Sequence, residues 1–177
     1  MPTEDTQEIS LRLEHYDDIF SDFDMRPYSK RALSVDFIDE IRRASIDKDE
    51  EGMDLTLYVP AAGRSESQEA TIKERLAGHF EKHYGLVLKD KRKTMGQGIF
   101  MVILGVISMI LATFILSGSA EGDILKSFLV VFLEPAAWFL LWEGADQILF
   151  TSREINPELS FYGKMFASRE NIHFKPY

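Results

Sequence analysis

The chain has 177 residues, a formal net charge of -9 and no cysteine. Thiolate catalysis, cysteine metal sites and disulfides are therefore excluded. Residues 1–62 hold 16 Asp/Glu against 7 Lys/Arg while residues 63–177 hold 13 of each, so all the excess acidity lies in the N-terminal part. That excludes nucleic acid as a partner there, because phosphate contacts need clustered Lys and Arg.

Residues 1–8 are polar and acidic, without the basic start and apolar core of a signal peptide. Ile9-Ser10-Leu11-Arg12-Leu13 alternates apolar and polar, the period of a half-buried strand. Glu14 to Arg31 reads as irregular, rich in Asp and aromatics. Ser34 then predicts an N-cap, followed by a helix with Phe37, Ile38 and Ile41 on one stripe, ending between Ala44 and Asp47. An acidic turn closes at Gly52. Leu55 to Val59 reads as a second strand, stopped by Pro60. A helix is predicted from Glu66, with Ile72, Leu76 and Phe80 on one face, and a break is expected near Tyr84-Gly85.

From Thr94 to Ala120 there is no charge in 27 residues, and Ser127 to Phe150 is again apolar apart from Glu134, Glu143 and Asp146. Roughly 20 apolar residues cross a hydrocarbon core, so both segments predict membrane helices, at about 96–117 and 127–149. Asn156-Pro157 opens a short helix carrying Leu159, Tyr162 and Met165, and the tail with Ile172 and Phe174 reads as a last strand. The fold class is thus α+β: a small cytosolic three-stranded sheet in the order β-α-β-α … α-β, interrupted by a two-helix transmembrane hairpin. Its domains are 1–93, the first part of the soluble domain; 94–150, the hairpin; and 151–177, the helix and strand that complete the soluble domain. The simplest sheet is a mixed one.

Lys82, Lys89, Lys91, Arg92 and Lys93 precede the first span and Arg153 follows the second, while the connecting loop offers Lys126 alone. Positive flanks stay cytoplasmic, which places both termini there; the expected location is the plasma membrane of a prokaryote.

In the first span Gly98, Gly105 and Ala112 recur at every seventh position with Ser108 beside them, a pattern that lets helix backbones approach closely. Its partner is either the second span or another subunit. In the second span Glu134, Trp138 and Trp142 share a helix face, and Pro135 removes a helix hydrogen bond and can bend the helix. A carboxylate at depth costs about 2.5–3.5 kcal/mol even on the lenient insertion scale, so Glu134 has to be accommodated. Two readings stand. Either Glu134 is a proton or cation site on an oligomeric pathway, or it is a structural acid hydrogen-bonded to the bend or to Ser108 or Thr113. Glu143 and Asp146 read as interfacial.

His79 and His83 lie at i, i+4, a spacing that can hold a metal if His15 or His173 supplies a third ligand; flanking an apolar stripe is their plainer role. The Asp17–Asp24 run offers oxygen ligands but lacks the glycine and terminal Glu of an EF-hand loop, so a docking surface or a turn network fits better. No phosphate loop, catalytic triad or carboxylate pair is present. The expectation is a non-enzymatic membrane interaction or scaffold protein without cofactor or metal, self-associating or bound to a membrane-protein partner. The alternatives are a channel or transporter subunit using Glu134 and an accessory subunit of a larger complex.

Overall fold

The computed structural model describes residues 8–48, 53–117 and 123–177. Two compact units divide the chain: residues 1–86 with 158–177, and residues 87–157. The acidic turn expected to close at Gly52 lies outside the described residues.

The first unit is built on strands β1 (Glu8–Arg12), β2 (Asp54–Val59) and β3 (Ile172–Pro176), in the spatial order β1-β2-β3. Both pairings are parallel, which corrects the mixed sheet expected from the sequence. The reason is the connections: each pair of successive strands is joined by a helical crossover that returns the chain to the end where it began. Register then aligns Ile9, Leu55 and Ile172 in one row across the sheet, and Leu11, Leu57 and Phe174 in the next. Apart from the half-buried Leu11, these side chains are buried, so one apolar face anchors the unit. The central strand is covered on both sides, as the burial of Thr56 between Leu55 and Leu57 shows.

Helix α1 (Val35–Ala44) buries Phe37, Ile38 and Ile41, the stripe read from the sequence. Ser34 holds the N-cap position, although its hydroxyl makes no capping bond. Helix α2 (Glu66–Ser117) contributes residues 66–86 to the first unit and 87–117 to the second. The expected break near Gly85 does not occur. A lone glycine costs a helix only about 1 kcal/mol relative to Ala, too little to stop propagation through good helix-forming neighbours. In the first unit α2 buries Ile72, Leu76 and Phe80, and helix α5 (Asn156–Ala167) supplies Phe161, Tyr162 and Met165.

In the second unit, helix α3 (Ile124–Asp146) runs for 23 residues and contains Pro135. Five residues of wider π-helical turn (Gln147–Thr151) follow, then the short helix α4 (Ser152–Glu154). The sequence did not mark this extension. Both α2 and the continuous stretch Ile124–Glu154 are long and apolar enough to cross a membrane, and only 11% of each apolar window is buried. A core helix of a water-soluble domain would have most of that window covered.

Candidate functional site

At its glycines the contact between α2 and α3 brings backbone against backbone. A Cβ on Gly98 would stand 2.8 Å from the carbonyl oxygen of Gly144, and one on Gly144 would stand 2.7 Å from the carbonyl oxygen of Gly98. A Cβ on Gly105 would meet the carbonyl oxygen of Ala137 at 3.1 Å and the Leu141 side chain at 2.9 Å. The rising numbers of one helix against the falling numbers of the other make the pair antiparallel. Ser108 and Ala112 continue the buried line on α2, and Val130, Ala137 and Gly144 form a buried seven-residue line on α3. The small-residue face read in the first span is therefore occupied by the second. Its partner line of Ala137 and Gly144 was missed, because small residues spaced through an apolar run carry no sign of which face they share.

Glu134 sits near the middle of α3, on its exposed side with Pro135, Trp138 and Trp142. Trp138 and Trp142 are 64% and 69% exposed, so this stripe is free of α2. Among the described residues the Glu134 carboxyl makes no hydrogen bond or ion pair. Ser108 donates to Leu104 O at 2.9 Å and Thr113 to Met109 O at 2.9 Å, each within its own helix. That corrects the reading in which these hydroxyls hold Glu134. Pro135 lacks an amide hydrogen, so the carbonyl of Val131 one turn earlier has lost its helix donor.

Glu143 is half-buried and accepts a bond from Gln147 Nε2 at 3.2 Å, while Thr151 donates to Asp146 at 3.5 Å. Both acids are thus engaged locally, at the end of α3 opposite the Asp123 N-cap.

In the first unit the imidazoles of His79 and His83 stack at 4.1 Å between ring centres, and His83 stacks on Tyr162 at 5.2 Å. Neither His15 nor His173 joins them; among the described residues no group of three or more His, Asp or Glu is placed to hold a metal ion. Nε2 of His79 is buried without a hydrogen-bond partner among the described residues. Burial, with His83 and then Arg75 and Lys82 nearby, holds this imidazole well below its usual value, at about 4.

Three carboxylates of the acidic run are held in its own turns. Asp18 caps the short turn by accepting from the amides of Glu14 and His15, Asp17 pairs with Arg31, and Asp24 takes Arg26 and the amide of Ala32. Among the described residues these carboxylates form no group of three or more placed to hold a metal ion.

A network that the sequence did not reveal ties three distant segments together. Glu69, 6% exposed, takes a two-pronged bond from Arg64 at 2.8 and 2.9 Å and a third from the Tyr16 hydroxyl at 2.8 Å. That hydroxyl also accepts the amide of Ser65 at 3.0 Å, and Arg64 reaches the carbonyl of Phe174 on β3 at 3.4 Å. The Arg64 hydrogen bonds, with help from Tyr16, hold the Glu69 carboxyl below the usual carboxylate range against the opposing effect of burial. A fully satisfied buried carboxylate of this kind fixes geometry rather than moving protons.

No protein-family model, no curated protein and no solved structure matches this chain, so the functional reading rests on its own residues.

Proposed function

We propose that this chain is a non-enzymatic integral membrane protein that works through interaction. It inserts α2 and α3 as a two-helix transmembrane hairpin, associates with a second copy or another membrane protein through the Glu134 side of α3, and presents an acidic α+β unit to a partner in the cytosol. The carrying observation is the placement of Glu134. The close-packing glycine faces are used up inside the helix pair, while the one carboxylate at mid-helix stays exposed with two tryptophans and no partner among the described residues. At membrane depth such a group is satisfied by another polar group, by water in a pathway, or by protonation. A partner helix supplies the first. The α3 helix, about 34 Å long at 1.5 Å per residue, is long enough to place Glu134 near the centre of a hydrocarbon core of roughly 30 Å.

The same placement supports a second reading, a channel or transporter subunit, in which several copies turn Glu134 into a shared pathway. The mass of the complex in mild detergent, followed by flux measured in liposomes, tests both. Association weakened by Glu134→Leu, unchanged by Glu134→Gln and without flux supports the interaction reading. A ring of copies with pH-dependent flux that Glu134→Gln abolishes at equal assembly overturns it. A lone monomer overturns both.

A further inference from the structure

Lys89, Arg92 and Lys93 lie at i, i+3 and i+4 on α2, exposed and without a salt bridge among the described residues. Their neighbour Lys91 behaves differently: it is half-buried and its Nζ bonds Asn156 Oδ1 at 2.6 Å. That bond, with the approach of Gly98 to Gly144, sets the level of the two helices against each other, so Arg153 on α4 belongs to the same end as the basic cluster. On α2 Asp90 stands among the four basic residues Lys89, Lys91, Arg92 and Lys93, and on α4 Glu154 follows Arg153. One turn further along α2 the charge stops. Gly96 offers open space beside its Cα, and exposed Ile99 and Phe100 begin the apolar surface.

We infer that the exposed cationic face of Lys89, Arg92 and Lys93 on α2 is a binding site for the phosphate of an anionic phospholipid, with the acyl chains lying along the apolar surface beyond Gly96. The inference rests on the membrane reading above and goes further, because it assigns a lipid class to a particular face. The chemistry favours a lipid over a soluble anion. The cations end where apolar surface begins, so a ligand with a phosphate on one side and hydrocarbon on the other meets both, whereas a free phosphate uses only the first. Each Lys or Arg near an anionic surface raises the preference about fivefold, which corresponds to roughly 1 kcal/mol. Lys126, at the other end of the pair, is already held by Asp123 at 3.1 Å and serves as the internal control.

The test uses the full chain reconstituted in vesicles of phosphatidylcholine alone and of equal parts phosphatidylcholine and phosphatidylglycerol. Retained lipid is counted by native mass spectrometry after gentle extraction. The parent is expected to retain phosphatidylglycerol in preference to phosphatidylcholine. K89Q/R92Q/K93Q is expected to lose that preference by at least about tenfold, K89R/K93R to keep it, and K126Q to leave it unchanged. Equal retention of the two lipids by the parent, an unaffected triple variant, or full displacement of the lipid by inorganic phosphate would overturn the site. Failure of the membrane reading looks different: the parent would then be washed from both kinds of vesicle by alkaline extraction, and the lipid assignment would fall with it.

Discussion

Gly98 and Gly144 each place a carbonyl oxygen where the other's Cβ would have to go, at 2.8 and 2.7 Å. Real Cβ atoms do not approach backbone so closely, so neither position accepts alanine without moving the helices apart. A contact of this kind between apolar helices is held by dispersion and weak C–H···O bonds, both of which fall steeply with distance.

Gly144→Ala and Gly98→Ala should therefore each weaken the α2–α3 contact by about 1–3 kcal/mol, the usual cost of overpacking. Gly96→Ala, on the same helix but facing open space, should be neutral or slightly stabilising through helix propensity. Gly105→Leu should disturb the pair far more than Val106→Leu, whose side chain is exposed. A denaturing-detergent titration reporting the distance between the two helices checks all five.

The Glu69 network makes a pH-dependent prediction for the first unit. The carboxyl is held below its ordinary 4.5 in the folded chain, so its stabilisation is present in full above 4.5 and is lost as pH falls through the folded value. Glu69→Gln should lower stability at neutral pH and flatten that acid limb. Tyr16→Phe, which removes a donor to Glu69 and an acceptor for Ser65, should cost about 1–2 kcal/mol. Thermal unfolding of both variants between neutral pH and pH 3 is the measurement.

His79 acts on a different window. Its folded value of about 4 lies below the ordinary 6.5, so between these two the unfolded chain binds more protons than the folded one. Stability should fall as pH drops through that range. His79→Leu removes one titrating group while filling the same space, and should lose less unfolding temperature over that window than the parent, the remaining slope coming in part from His83, which burial also holds below its usual value. Parallel curves for the two proteins would show that His79 is charged without penalty.

The three strands were legible because alternation of side chains is written directly into residues such as Ile9, Leu11, Ile172 and Phe174. Their direction was not, since a strand's period is the same in parallel and antiparallel pairs; only the crossover through α1 and the long return to β3 decide it. Gly98, Gly105 and Ala112 could be read as a packing face from spacing alone. Ala137 and Gly144 could not, because what selects them is the register of α3 on α2. The link of Arg64 to Glu69 was within reach at five residues' separation, but Tyr16 and Phe174 join it only through the tertiary fold. The histidine pair was seen in the sequence, yet its stacking on Tyr162 depends on where α5 packs.

Accessibility of single cysteines in intact cells tests the membrane hairpin most directly, in a chain with no cysteine of its own. One replaces Ser119, in the segment joining α2 to α3, and the other replaces the exposed Ala167 at the end of α5. The account predicts that an impermeant thiol reagent modifies the first in intact cells and the second only after the membrane is opened. Labelling of position 167 with protection of 119 would reverse the orientation, and recovery of the protein in the soluble fraction with both positions equally reactive would contradict the membrane hairpin itself.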